Sequence, residues 1–342
     1  MIRVLVVDDS AFMRKALQKM LEEDPEIRVV GTARDGLEAL AKVEELDPDL
    51  VTLDVEMPRM DGLETLERIM AESPRPVVMV SSLTEEGAEV TLRALDLGAV
   101  DYLPKNIGAN VLEVVKIREA LRAKVKAVAR RKGRIPPTAP PPGETVAPAP
   151  ALGPARLVAI GASTGGPPAL QKVFAALPGG LRAPVVVVQH MPKAFTGAFA
   201  KRLDAAGGLV VKEAESGDRL EPGRGFVAPG GRHLVVHRDG RGLVLQVTER
   251  PADTLHRPSV DVTFRSVAQV PVPDTLAVVL TGMGSDGAEG ARALRSKGGR
   301  VVAQSAETCV VYGMPRAVVE AGAADTVLPL ERIGPAIREA AS

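Results

Sequence analysis

Three residues that could perform nucleophilic acyl chemistry each follow an apolar run. Ser163 stands in Gly161-Ala162-Ser163-Thr164-Gly165-Gly166, directly after Leu157–Ile160. His190 closes Val185-Val186-Val187-Val188-Gln189, and Asp286 follows Leu276–Leu280 by way of Thr-Gly-Met-Gly-Ser. A serine hydroxyl needs a base to take its proton, and an imidazole base needs an acid to orient it. A sharp strand-to-helix turn would expose the Ser163 hydroxyl, with Gly161 and Gly165 expected to let the backbone turn without a Cβ clash. The helix N-terminus after Gly166 would favour negative charge. The turn Thr281-Gly282-Met283-Gly284-Ser285 offers backbone N–H groups for an oxyanion, with Met283 N–H the candidate donor. The chain order Ser, His, Asp differs from those of chymotrypsin, subtilisin and the α/β-hydrolases, which argues against simple membership in any of them.

A second constellation lies nearer the N-terminus. Asp8 and Asp9 close Val4–Val7, Asp54 closes Leu50–Leu53, Ser81 closes Val77–Val80, and Lys105 follows Val100–Leu103. On one sheet edge the three carboxylates repel one another, and a hard divalent cation relieves that repulsion. Mg²⁺ suits, because it takes few carboxylates and keeps several waters. A cation and a lysine beside one aspartate would stabilise a phosphoryl group on it, and Ser81 could donate to a phosphoryl oxygen.

Both constellations require parallel strands, whose carboxyl ends share one edge. Apolar runs alternate with helical patterns in both halves of the chain. Phe12, Met13, Ala16, Leu17, Met20 and Leu21 recur at helical spacing between the first run and Val29-Val30. The later runs end with Val301–Ala303 and Thr326–Leu328. This alternation predicts an α/β protein with two doubly wound parallel-sheet domains. Residues 225–248, punctuated by Gly230-Gly231 and Asp239-Gly240, predict an antiparallel hairpin inserted in the second. Residues 113–132 read as a helix whose Lys and Arg form a solvated face. Between Lys132 and Ala155 repeated prolines replace periodicity, which predicts an extended, semi-rigid spacer.

A chain of 342 residues favours two domains. Its 43 Lys and Arg balance 43 Asp and Glu, so charge makes no case for nucleic acid or membrane as a partner. The single cysteine, Cys309, excludes an internal disulfide framework and a cysteine-rich zinc site, and is expected to be a small buried residue. Met-Ile-Arg-Val-Leu-Val-Val-Asp-Asp is too short an apolar stretch for a signal peptide or membrane span, so the cytoplasm is the simplest expectation. His233 and His237 sit four apart on one expected strand, about 13 Å at strand rise, too far to chelate one metal. They are expected at the surface or an interface. His256 either lines the substrate cleft or is structural.

Residues 1 to about 120 resemble the receiver domain of bacterial response regulators. The matching stretches are Val-Val-Asp-Asp-Ser at 6–10, Leu-Asp-Val-Glu-Met-Pro-Arg-Met-Asp-Gly at 53–62, Val-Ser-Ser at 80–82 and Asp-Tyr-Leu-Pro-Lys at 101–105. The resemblance implies a flavodoxin-like fold in which Asp54 accepts a phosphoryl group from a chemotaxis histidine kinase. It implies Mg²⁺ held by Asp9, Asp54 and the Glu56 carbonyl, with Asp8 acting through water. Ser81 and Tyr102 would form the conformational switch, with Lys105 at the phosphoryl group. Asn106 stands where the family usually has proline, often after a cis bond. A cis bond before a non-proline residue costs about 2.5–4 kcal/mol, so this loop is expected to differ while the lysine contact survives.

The C-terminal segment resembles the catalytic domain of the chemotaxis protein-glutamate methylesterases, the CheB family. It carries Ile-Gly-Ala-Ser-Thr-Gly-Gly-Pro at 160–167, Gln-His-Met-Pro at 189–192, Val-Ala-Pro-Gly-Gly at 227–231, His-Arg-Pro-Ser-Val-Asp at 256–261, Leu-Thr-Gly-Met-Gly-Ser-Asp-Gly at 280–287 and Tyr-Gly-Met-Pro at 312–315. The resemblance implies a Rossmann-like domain with Ser163 as nucleophile, His190 as general base and Asp286 as orienting acid, and no cofactor for the ester chemistry. The implied substrates are γ-glutamyl methyl esters on methyl-accepting chemotaxis receptors, and family members can also deamidate receptor glutamines. The expected organisation is a receiver over 1–120, a basic helix end and Pro-rich linker over 121–152, and a methylesterase domain over 153–342. Unphosphorylated, the receiver is expected to cover the catalytic cleft.

Three other readings compete. Gly161-x-Ser163-x-x-Gly166 loosely matches a dinucleotide fingerprint, but Ser163 replaces its central glycine and Gln189-His190 stands where an acid should close the next strand. A DNA-binding output domain conflicts with the neutral charge. A serine peptidase or general esterase would need the same triad, and only the wider resemblance separates it.

Overall fold

The computed structural model describes residues 1–81, 84–105, 111–129, 152–270, 272 and 274–342. The chain divides into two compact units, Met1–Pro140 and Pro141–Ser342.

In the first unit β1 (Ile2–Val7), β2 (Ile27–Ala33), β3 (Leu50–Asp54), β4 (Val77–Ser81) and β5 (Asp101–Pro104) alternate with α1 (Ala11–Glu22), α2 (Gly36–Leu46), α3 (Gly62–Glu72), α4 (Glu85–Asp96) and α5 (Val111–Ala129). The strands form one parallel sheet in the order β2-β1-β3-β4-β5. Helices cover both faces of such a sheet, so its strands are buried throughout and read as unbroken apolar runs. Every residue of β3 and β4 is buried. Ser10, Asp35, Asp61 and Thr84 cap the first four helices, each accepting from a backbone N–H of the first turn.

The last helix departs from expectation. Leu121, Val125 and Val128 pack into the core with Leu17 and Leu21, so α5 carries the first unit past residue 120. Several of its cations are paired rather than simply solvated. Arg118 Nη1 lies 3.1 Å from Glu23 Oε2, Lys126 Nζ lies 3.1 Å from Asp24 Oδ2, and Lys124 pairs with Asp101. Asn106 and residues 130–151 of the proline-rich stretch lie outside the described residues. The end of that stretch belongs to the second unit: Leu152 and Ala155 are buried, and Ala155 N–H donates to Ala340 O at 2.5 Å.

The second unit contains β6 (Leu157–Ala162), α6 (Gly166–Ala175), β7 (Val185–Gln189), α7 (Lys193–Ala206), β8 (Val210–Glu213), β9 (Arg224–Val227), β10 (His233–Asp239), β11 (Gly242–Thr248), α8 (Val260–Gln269), β12 (Thr275–Val279), α9 (Ala288–Ser296), β13 (Arg300–Gln304), α10 (Met314–Glu320), β14 (Thr326–Leu328) and α11 (Leu330–Ala341). Seven strands form a parallel sheet in the order β14-β13-β12-β6-β7-β9-β8. β10 and β11 form the expected antiparallel hairpin. Residues 225–227, read with that hairpin, instead belong to β9 between β7 and β8 in the main sheet. β8 had no strong signal, because a short edge strand buries little of its length.

Both sheets reverse direction of travel at their first strand. The chain runs from β1 to β2 and returns to β3 on the other side; likewise it leaves β6 toward β7 and returns to β12. The crevice at such a switch point is where open α/β sheets bind ligands. Gly165 caps α6 with φ +74°, a left-handed turn that suits glycine. Gly161 serves otherwise. It lies inside β6, and a Cβ there would stand 2.4 Å from Val260 Cγ1, so its role is the close approach of α8. Among the described residues no helix is long and apolar enough to cross a membrane.

Candidate active site

Ser163, His190 and Asp286 meet at the carboxyl edge of the second sheet. Ala162 of β6 pairs with Gln189 of β7, which places Ser163 and His190 at adjacent strand ends. Gln189, fully enclosed, braces the two: its Nε2 donates to Ser163 O at 2.9 Å and to His190 O at 3.2 Å. Ser163 N–H donates to Thr281 O at 3.1 Å, and Thr281 Oγ1 donates to Thr164 O at 2.9 Å. Thr281 therefore grips the serine turn on both sides of the hydroxyl-bearing residue.

His190 Nε2 lies 2.7 Å from Asp286 Oδ2. Its Nδ1 is buried and, among the described residues, has no hydrogen-bond partner. Asp286 in turn sits on the N-terminus of α8. Val260 N–H donates to Oδ2 at 2.7 Å, while Asp261 N–H and the Ser259 hydroxyl each donate to Oδ1 at 2.9 Å. Unpaired N–H groups at a helix start stabilise an anion by hydrogen bonding and by the helix dipole. Burial pushes the Asp286 carboxyl up, but His190 and the Asp261 and Val260 N–H groups outweigh it and hold the value at about 2. The folded carboxyl thus titrates below its ordinary 3.8. The resulting stabilisation, about 2 kcal/mol, is complete above pH ~4 and is lost as pH falls toward ~2. Unfolding measured from pH ~5 to pH ~2 should show wild type losing about that much more stability than Asp286→Asn.

The sequence motifs contained two further contacts whose roles were not legible. The His256 ring stacks on His190, with centroids 4.0 Å apart and planes 20° apart, which settles its placement at the site. His233, expected at the surface, is wholly buried, while His237 is exposed. His233 Nδ1 accepts from Ser259 N–H at 3.2 Å, which satisfies the α8 cap from behind. Cys309 is buried as expected.

For the oxyanion, Gly282 N–H is committed to Val311 O, whereas Met283 N–H has no backbone acceptor among the described residues. The helix start after Gly166 cannot help. Gly166 N–H bonds Ser163 O at 2.8 Å, and Pro167 and Pro168 carry no N–H.

The first sheet gathers the other constellation. Asp8, Asp9 and Asp54 offer ligand atoms within 4.8 Å of one another. Lys105 Nζ lies 3.0 Å from Asp8 Oδ2 and 2.5 Å from Asp54 Oδ2, so the expected lysine contact is present. One ammonium serves a cluster of three carboxylates, and among the described residues the buried Asp8 Oδ2 and Asp54 Oδ2 have no other donor. This oxygen-rich, under-neutralised set fits Mg²⁺. Burial, then the Asp8 charge, push the Asp54 carboxyl up to about 6 against the pull of Lys105. Glu56 N–H faces Asp54 Oδ1 at 3.4 Å. Ser81 is buried at the next strand end, its Oγ donating to Gly87 O at 3.3 Å. Tyr102 is buried on β5, where it pairs with Met79, two residues before Ser81 on the same face of the sheet.

Both units match described protein families. The response regulator receiver domain family matches residues 4–116, and the CheB methylesterase family matches residues 158–337. A protein-glutamate methylesterase/protein-glutamine glutaminase of Nitratidesulfovibrio vulgaris is 54% identical, covering 98% of this chain and 98% of the relative. One of Geobacillus kaustophilus is 49% identical over 98% of this chain and 97% of its own length. The crystal structure of the Thermotoga maritima CheB methylesterase catalytic domain aligns with a TM-score of 0.53 and 43% identity, covering 54% of this chain and 98% of that one. With full-length relatives near half identity and a family match over most of the second unit, this chain belongs to the CheB methylesterases that carry a receiver domain.

Proposed function

We propose that this chain hydrolyses glutamate γ-methyl esters on methyl-accepting chemotaxis receptors, releasing methanol, and deamidates receptor glutamines. The observation that carries the reading is the His190–Asp286 pair, which leaves His190 Nδ1 unpaired beside the strand end bearing Ser163. Ser163 Oγ gives its proton to Nδ1 and attacks the ester carbonyl carbon. Met283 N–H receives the developing oxyanion. His190 then returns the proton to the departing methoxide, and methanol leaves an acyl-Ser163. Water, giving a proton to His190, attacks that ester and frees glutamate; the proton goes back to Ser163 Oγ. With glutamine the same steps release ammonia. Asp286 stays ionised throughout, orienting the ring and balancing its positive charge.

The first unit, through the end of α5, acts as receiver and the second, from Leu152 on, as catalytic domain, with the proline-rich stretch as their connection, in the cytoplasm. Asp54 takes the phosphoryl group from the chemotaxis histidine kinase. Asp9, Asp54 and the Glu56 carbonyl would hold Mg²⁺, with Asp8 acting through water. When bound, the ion would offset the carboxylate repulsion and supply charge stabilisation for a phosphoryl group on Asp54. Ser81 and Tyr102 report the phosphoryl group, and Lys105 pairs with it.

Methanol release from methylated receptor tests the reading: wild type should release it, faster with a small phosphodonor and Mg²⁺. An enzyme inactive even when phosphorylated sinks it. Asp54→Asn should abolish the phosphodonor acceleration. It should also remove a pH step. A carboxyl raised to about 6 favours the fold when neutral, so that contribution is present below pH ~4 and lost as pH rises through ~6. Mg²⁺ should raise the receiver's thermal midpoint at neutral pH, and less so in Asp54→Asn. A chain beginning at residue 153 should exceed the unphosphorylated full chain in esterase rate; an equal or lower rate refutes restraint by the receiver.

A further inference from the structure

We infer that His233 is a positioning residue for the esterase: its neutral imidazole holds the cap of α8, and through Ser259 that cap holds Asp286 against His190. The inference rests on the triad reading above. His233 lies on β10, wholly buried, 43 residues from His190 in sequence and on no strand of the main sheet. Its Nδ1 accepts Ser259 N–H at 3.2 Å. Its Nε2 therefore carries the proton, facing Pro251 O at 3.1 Å and Thr254 Oγ1 at 3.2 Å. Both ring nitrogens are thus spent in one tautomer.

Ser259 makes the connection. Its N–H is held by His233, and its hydroxyl donates to Asp286 Oδ1. The next two N–H groups complete the carboxylate's shell. A shift of Ser259 therefore moves three of the four donors that orient Asp286. The fourth is His190 itself. Thr263 Oγ1 donates to Leu234 O at 2.7 Å, so the start of α8 is anchored to β10 at a second point beside His233.

The same geometry makes the brace sensitive to acid. A proton on Nδ1 would point at Ser259 N–H, donor against donor. Burial and the Arg257 charge oppose protonation of the ring, while the Pro251 carbonyl and Asp286 favour it, and the balance lies on the lower side of the ordinary imidazole value. From α8, Asp261 is bonded to Gly287 and Gly290 N–H, and Arg265 is the other charge on that helix. From β11, the facing residue is the uncharged Thr248, and the neighbouring Glu249 pairs with Arg232.

The test compares full-length wild type, His233→Phe and His233→Asn, each phosphorylated and each verified folded by circular dichroism. Asparagine can place its Oδ1 where Nδ1 stands and accept Ser259 N–H, yet cannot be protonated. His233→Phe should lower kcat by roughly ten- to a hundredfold with KM within about twofold, because the fault lies in orientation and not in substrate contact. His233→Asn should recover kcat to within about threefold of wild type. On the acid side, log kcat/KM should fall more steeply in wild type than in His233→Asn, because only wild type can lose the brace to a proton. A folded His233→Phe with wild-type kcat, or a folded His233→Asn as slow as His233→Phe, overturns the proposal. Imidazole nitrogen and proton NMR separates this from the esterase reading. If wild type releases no methanol but His233→Phe displaces the His190 Nε2–H signal, the esterase reading falls and the brace stands. An unmoved signal overturns the brace.

Discussion

Asp286→Asn should lower methanol release by about 10³–10⁴-fold and destabilise the catalytic unit by about 2–3 kcal/mol. Both effects follow from the carboxylate's surroundings. Oδ2 faces donors from His190 and Val260, and Oδ1 faces donors from Ser259 and Asp261. An asparagine must put its NH₂ group at one of these two positions, and each holds a backbone N–H that cannot accept. At the Oδ1 position the amide opposes Asp261 N–H and forces the Ser259 hydroxyl to turn from donor to acceptor. Turned toward His190, it opposes Val260 and forces the ring to present an acceptor, which leaves the proton on Nδ1 where Ser163 needs a base. Either way the His190 tautomer or its position is lost. Single-turnover methanol release and urea unfolding check the two effects separately. A variant retaining more than about a tenth of wild-type activity would remove Asp286 from the mechanism.

Ser163→Ala should show the opposite division. Release of methanol should fall by about 10⁴-fold or more, while stability changes by no more than about 0.5 kcal/mol. The contacts that shape the turn are made by the Ser163 backbone: its N–H to Thr281 O, and its carbonyl from Gln189 Nε2 and Gly166 N–H. Alanine keeps all of them and removes only the nucleophile. Mass spectrometry offers a direct check, because an acyl-enzyme trapped by acid quench should be absent from the variant. Full activity in a folded Ser163→Ala would refute acyl transfer through this residue.

Much of both sites was legible because buried parallel strands betray themselves. A strand covered on both faces has few polar residues, so Val4–Val7, Leu50–Leu53 and Val185–Val188 read as largely apolar runs and the charged or titratable residue that follows lies at or just beyond the strand's end. Naming those end residues located Asp8, Asp54, Ser163 and His190 together. Short or half-buried elements carried weaker signals. β8 was missed and β9 was read with the wrong sheet, since four residues fit either pairing. The cations of α5 read as solvated because their partners Glu23, Asp24 and Asp101 lie far away in sequence. The prolines at 167 and 168, visible from the outset, already ruled out N–H donors after Gly166.

By itself the sequence determined the two α/β units, the chemistry-bearing strand ends and the residue types that meet there, because periodicity and burial are local properties of the chain. Only the tertiary structure decided how those residues are held. It set Asp286 on the start of α8, assigned His190 Nε2 to Asp286 and left Nδ1 over, stacked His256 on His190, and buried His233 behind Ser259. The physical reason is range. A hydrogen bond or a ring contact depends on ångström positions of groups brought together by the fold, such as His190 and Asp286, 96 residues apart, and no local pattern encodes that distance.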